Sequence, residues 1–210
     1  MNRLPPQAPG RRGSPRGWWR GAGPWLGLVC FAGCVSSPVP PNPDPPLTVV
    51  PHVDFVRYTG TWYEIARYPH SFEKNCVAVT AGYRLLEEGT LEIVHRCREG
   101  HFEGPWREAR GLARVADPPI QAKLKLKFFW PFEKDYWIIV LDSEYRYAAV
   151  STPGRDFLWI LSRTPRMAPA GFSAVLNRLQ QLGFDLTRLE RTPQPPAGAS
   201  PQSKETQPGL

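Results

Sequence analysis

The sequence predicts an all-β protein, an eight-stranded antiparallel up-and-down barrel with one C-terminal α-helix packed on its wall. Three observations argue for an antiparallel sandwich or barrel, and the strand count favours the barrel. Short runs of β-branched and aromatic residues recur roughly every ten to fifteen residues between 52 and 192, with turn residues between them. Lys123-Leu124-Lys125-Leu126-Lys127-Phe128 alternates cleanly, three Lys on one face and Leu124, Leu126 and Phe128 on the other. Only one segment carries a helical period. Eight strands is the number that encloses a single small ligand.

The first strand is expected over 61–68 and the second over Val77–Leu85. Glu87-Glu88-Gly89-Thr90 reads as a tight hairpin, and Leu91–Cys97 returns from it. Four more strands follow at Trp106–Val115, Ala122–Phe129, Tyr136–Leu141 and Arg146–Ser151, and an eighth at Phe157–Ser162. Trp137–Leu141 is apolar on both faces, so something must cover its outside. The helix, Ala168–Leu182, can do so: Phe172, Val175, Leu176 and Leu179 form one stripe, Pro169 suits its first turn and Gly183 its end.

The ends of the chain have a different character. A net charge of +7 invites a nucleic-acid reading, but Arg3, Arg11, Arg12, Arg16 and Arg20 all precede the first acid, Asp44. The excess therefore belongs to a leader, and no nucleic-acid partner is expected. Residues 24–33 form an apolar run well short of the ~20 residues that span a bilayer, which marks a signal segment. Phe31-Ala32-Gly33-Cys34 resembles a bacterial lipobox, with Cys34 the lipidated residue; an ordinary secretory cleavage is the alternative. The expected organisation is a lipoprotein signal peptide (1–34), a Pro-rich tether (35–51) with seven Pro between 38 and 51, the barrel domain (52–192) and a disordered tail (193–210).

Four stretches resemble the lipocalins, and within them the bacterial outer-membrane lipoprotein group (Blc-like, close to apolipoprotein D and the plant temperature-induced lipocalins). They are Tyr58–Arg67 with Ser71-Phe72-Glu73, Ala122–Lys125 with Phe128–Phe132, Asp135–Ile139 with Asp142 and Tyr145, and Leu158–Pro165. Together they span about 140 residues, in order. The resemblance implies that Gly60, Trp62 and Arg163 are structural, the Arg lying over the indole at the closed end as a cation–π pair. Tyr145 and Asp142 would belong to the same end. It also implies a cup that binds a lipid or other apolar small molecule, a lipid anchor in the outer membrane facing the periplasm, and no enzyme activity or cofactor. A homodimer stays open as an assembly.

Candidate ligand contacts are Phe72, Tyr83, Leu126, Phe128, Trp137, Ile139 and Tyr147, each with plain core packing as its alternative. The turn Trp130-Pro131-Phe132 is placed at the mouth. Cys76 and Cys97 are expected to form a disulfide in an oxidising compartment, although counting from the hairpin leaves them out of register and calls for a bulge; two buried free thiols are the alternative. His52, His70, His95 and His101 show no metal spacing, and no metal site is expected; His70 or His101 as a haem ligand is far weaker than the surface-histidine reading. Glu64 and Glu73 form no evident catalytic pair, and neither a Gly-X-Ser-X-Gly motif nor a P-loop occurs. Two rival readings remain. One is an enzyme on this barrel acting on a lipid through Glu64, and the other a partner-binding envelope lipoprotein whose cavity is filled by side chains.

Overall fold

The computed structural model describes residues 45–118, 120–129 and 132–196. The expected signal peptide with Cys34, the first part of the tether, Trp130 and Pro131 of the mouth turn, and the tail from 197 lie outside the described residues.

Eight strands run in sequence: β1 (Gly60–Arg67), β2 (Cys76–Leu85), β3 (Leu91–Glu99), β4 (Trp106–Asp117), β5 (Ile120–Phe129), β6 (Phe132–Leu141), β7 (Tyr147–Ser151) and β8 (Leu158–Ser162). Each pairs antiparallel with the next, and β1 pairs with both β8 and β2, so the sheet closes on itself. Closure removes the edge strands that an open sheet would leave unpaired. The expected eight strands and single long helix are therefore present. Small elements add to them, among them a helical turn α1 (Phe55–Tyr58), N-capped by Asp54 Oδ1, and a two-residue strand β9 (Glu190–Arg191).

Side-chain parity divides the apolar residues into two layers. Inside the barrel, Trp62, Tyr83, Ile93, Leu124, Tyr136, Ile138 and Leu161 belong to one buried cluster. Outside, Ile65, Ile139, Ala149, Leu158 and Ile160 pack with Val175 and Leu179 of α2 (Pro169–Gln181). The helix ends as its sequence dictates: Gly183 takes φ +79°, its N–H reaches Gln180 O, and Phe184 N–H reaches Leu179 O. Burying Val175 and Leu179 on this face contributes about 2 kcal/mol each.

The folded body exceeds the expected 52–192 at both ends. Leu47, expected in an unfolded tether, is buried with the helix-side cluster, and Val50 N–H donates to Ile138 O. Beyond β9, Thr192 N–H donates to Ile65 O and Pro193 O accepts from Ala78 N–H. Gln194 Nε2 donates to Glu64 O and Val79 O, bridging β1 and β2. The reason is the shape of the seam. β2 pairs with only the Gly60–Tyr63 half of β1, and the other half, Ala66 and Arg67, takes β9 instead. Backbone groups left open by diverging strands need partners, and the C-terminal segment supplies them.

Cys76 and Cys97 are disulfide-bonded. Cys76 stands opposite Glu99, two residues beyond Cys97. A bulge between Val77 and Thr80, with Ala78 at φ +52°, turns the strand so that the two Cα atoms come within 5.5 Å.

Candidate functional site

The closed end is held by one arginine. Arg163 lies 3.9 Å over the Trp62 ring. Its guanidinium donates to four backbone carbonyls, Arg57 O at 2.6 Å, Thr59 O at 2.8 Å, Thr61 O at 3.2 Å and Tyr145 O at 3.2 Å. Burial lowers its pKa. Gly60 is required beside it: its φ is +91°, and a Cβ there would meet Arg163 Nη1 at 3.3 Å. Trp62 Nε1 in turn donates to Tyr58 O at 2.9 Å. Tyr145 completes the floor, its hydroxyl accepting from Asp54 N–H at 2.8 Å. Asp142 accepts from Arg146 at 2.7 and 2.8 Å, and these bonds hold its carboxyl down at about 2. Arg163, Trp62, Tyr145 and Asp142 are not among the residues that line the barrel cavity.

Above the floor the barrel encloses a cavity of about 340 Å³, within the usual size range of ligand pockets. Its apolar walls include Val79, Ala81, Ile93, Leu126, Val150 and Leu161. Tyr83 and Tyr136 also face it, their hydroxyls bonded to each other at 2.5 Å. Burial pushes the Tyr83 phenol up to about 12 and raises Tyr136 as well, so both are neutral. Toward the mouth, aromatic rings gather: Phe72, Phe128, Phe157 and Trp159. Phe72 is 39 % exposed and its ring sits 5.6 Å from that of Phe128.

Of the expected ligand contacts, Phe72, Tyr83, Leu126 and Phe128 line this cavity. Trp137, Ile139 and Tyr147 do not, and this corrects the sequence reading. Ile139 is 2 % exposed in the layer between barrel and helix, and Trp137 and Tyr147 pack against that layer. Lys123 covers Trp137 from outside, 4.8 Å from its ring centroid, and a Cβ on helical Gly171 would touch the Tyr147 ring. The cause is register. Leu124 of β5 stands opposite Tyr136 of β6, and Ala148 of β7 opposite Leu161 of β8. Directly opposed residues share a face, so Tyr136 and Ile138 point in and Trp137 and Ile139 point out. Counting alone could not give this register: the Phe129–Phe132 pair at the turn would set Leu124 opposite Trp137, and a shift between Leu126 and Phe129 moves it to Tyr136.

One wall is polar, and sequence reading missed it. Glu73 arrives on the short turn Ser71–Glu73 that follows β1 at the mouth, and is 1 % exposed. Trp159 Nε1 donates to its Oε1 at 3.2 Å, and His95 Nε2 lies 2.7 Å from the same atom. Arg67 Nε and His70 Nε2 lie 3.3 and 3.4 Å from Oε2. Burial alone would raise this carboxyl, but His70 and His95 outweigh it and hold Glu73 well below the usual carboxylate range. Glu64, 2 % exposed, behaves oppositely: burial and the neighbouring Glu73 charge raise it. It accepts from Arg67 Nη1 at 2.8 Å and from the Thr192 hydroxyl. Ligand atoms of Glu64, Glu73 and His95 all fall within 4.8 Å of one another, a donor set of the kind that holds a divalent ion. Here Arg67 already stands against both carboxylates and supplies the positive charge.

A family model of the lipocalin-like domain matches residues 53–194. The outer membrane lipoprotein Blc of Escherichia coli K12 is 42 % identical over 160 residues, covering 76 % of this chain and 88 % of that protein. Temperature-induced lipocalin-1 of Arabidopsis thaliana is 36 % identical over 157 residues, covering 70 % and 83 %. Among solved structures, insecticyanin from the tobacco hornworm Manduca sexta matches with a TM-score of 0.60 at 19 % identity, covering 74 % of this chain and 89 % of that one, a likeness of fold.

Proposed function

The chain belongs to the lipocalin family, and on that premise we propose that it binds fatty acids, lysophospholipids or similar lipids in its cavity and stores or carries them in a bacterial envelope. The observation that carries this reading is the closed barrel around about 340 Å³ of largely apolar space, ringed by aromatics at the mouth. Binding is then reversible burial: each methylene leaving water gains about 0.8 kcal/mol. The resemblance of Phe31-Ala32-Gly33-Cys34 to a lipobox and the outer-membrane names of its relatives support a lipid anchor at Cys34, with the cup in the periplasm. A homodimer is compatible with this placement.

The rival reading as a lipid-acting enzyme gains one support, since Glu64 does line the cavity. Against it, Glu64 is already engaged by Arg67 Nη1 and by the Thr192 hydroxyl.

The experiment is titration of the delipidated full chain with straight-chain lipids of increasing length, followed by tryptophan quenching. Saturable binding that tightens about fourfold per added methylene, until the cavity is full, supports the reading. A folded barrel that binds no lipid refutes it. Ester turnover lost in Glu64→Gln would favour the enzyme. For the anchor, Cys34→Ser is expected to move the protein from the membrane to the soluble fraction.

A further inference from the structure

The polar wall limits which head group the cavity accepts. Glu64, His70, Glu73 and His95 all line it, while the compensating cation, Arg67, is not among the lining residues. His70 and Glu73 are both more than nine-tenths buried. These groups lie within ion-pair distance of one another, yet Glu73 Oε2, Arg67 Nε, both ring nitrogens of His70 and His95 Nε2 have no well-oriented hydrogen bond. Buried polar atoms in that state cost free energy until a partner arrives.

The chemistry of those atoms defines the partner. Glu73 is ionised and can only accept. An imidazole offers one acceptor and one donor when neutral. An ionised carboxylate head has no hydrogen to give to Glu73, and Arg67, which balances the Glu73 charge, is not among the residues that line the cavity. A hydroxyl can donate to Glu73 and accept from an imidazole, and an ammonium can donate to both. The cation available to a carboxylate in the lining is Lys134, which stands opposite Leu126 on β6 and is exposed, so a pair there gains little.

We propose that this cavity prefers apolar chains whose head donates hydrogen bonds, an alcohol or a protonated amine, over chains ending in an ionised carboxylate, and that His70 and Glu73 hold that head. This rests on the lipid-binding reading above and ranks its ligands by head group, placing fatty acids, which enter as ionised carboxylates, below alcohols and amines.

The test is calorimetric titration of the delipidated full chain with decanol, decylamine and decanoate at pH 7.5, each below its micellar concentration. Decanol and decylamine are expected to bind at least tenfold tighter than decanoate, which is about 1.4 kcal/mol. His70→Phe keeps a ring against Phe157 and Trp159, 5.5 and 5.3 Å away, and removes both nitrogens. That variant and Glu73→Gln should each shrink the preference to within about twofold while leaving decanoate affinity the same or better. Glu73 has several structural partners, so His70→Phe decides the matter if Glu73→Gln fails to fold. A tighter amine names Glu73 as the chief partner and a tighter alcohol names the imidazole; both support the proposal. Decanoate binding as tightly as decanol overturns it, as does an undiminished preference in His70→Phe. If none of the three binds to folded protein, the lipid-binding reading falls with it.

Discussion

Removing the guanidinium at the closed end gives the sharpest test of what Arg163 does. In Arg163→Ala, the carbonyls of Arg57, Thr59, Thr61 and Tyr145 lose their donor together, and Trp62 loses the cation 3.9 Å above its ring. A hydrogen bond to a charged donor contributes about 1.5–3 kcal/mol when buried. The bonds to Thr61 and Arg57 are exposed, and water replaces them at little cost. The bonds to Thr59 and Tyr145 are partly buried and count for about 1 kcal/mol each. The cation–π contact adds about 1 kcal/mol. The expected loss is therefore about 3 kcal/mol, a large fraction of a typical domain's 5–15 kcal/mol. Arg163→Lys keeps the charge but cannot spread planar donors over four carbonyls, so it should recover less than half of the loss. Urea denaturation followed by tryptophan fluorescence measures both. A loss below about 1 kcal/mol in Arg163→Ala, or full rescue by Lys, would show that the planar network does not hold the floor. Lipid affinity of the folded variant should be unchanged, because Arg163 is not in the cavity lining.

Parity can be tested with two substitutions of opposite effect. Ile139→Ala empties the helix-facing layer and should cost about 3 kcal/mol of stability with lipid affinity intact, whereas Leu126→Trp fills the cavity and should abolish binding in a folded barrel. Cys97→Ser opens a bridge spanning 21 residues, with an expected loss of about 3 kcal/mol, seen as a lower urea midpoint that reducing agent does not shift further. The Asp142 carboxyl is depressed to about 2, so its stabilisation is present above its unfolded value near 4 and disappears as pH falls toward 2; the gap in melting temperature between the native chain and Asp142→Asn should close over that interval. Glu64 has the opposite sign. Its raised pKa favours the fold at pH below its unfolded value, and that contribution fades as pH climbs through the raised one; Glu64→Gln should therefore gain stability relative to the native chain as pH rises above the unfolded value of about 4.3.

By itself the sequence determined what is local or periodic. The alternation of Lys123–Phe128, the hairpin around Gly89, the stripe Phe172–Leu179 and the stop at Gly183 are each decided by neighbours a few residues away, and the strands and helix form where those signals stand. The four lipocalin-like stretches added the pairing of Trp62 with Arg163, which no spacing rule supplies. Tertiary structure alone decided the rest. Trp137–Leu141 is apolar on both faces, so its own residues could not say which side is the cavity; the helix covering Ile139 and the register with Leu124 made that choice. The segment Pro193–Gln194 reads as the start of a disordered tail, because what orders it is the open seam between β1 and β2, built by residues more than a hundred positions earlier. The Glu64–Glu73–His70–His95 wall was equally invisible: its four residues meet, and the carboxyls of Glu64 and Glu73 shift in opposite directions, only when β1, β3 and the mouth turn fold around one cavity.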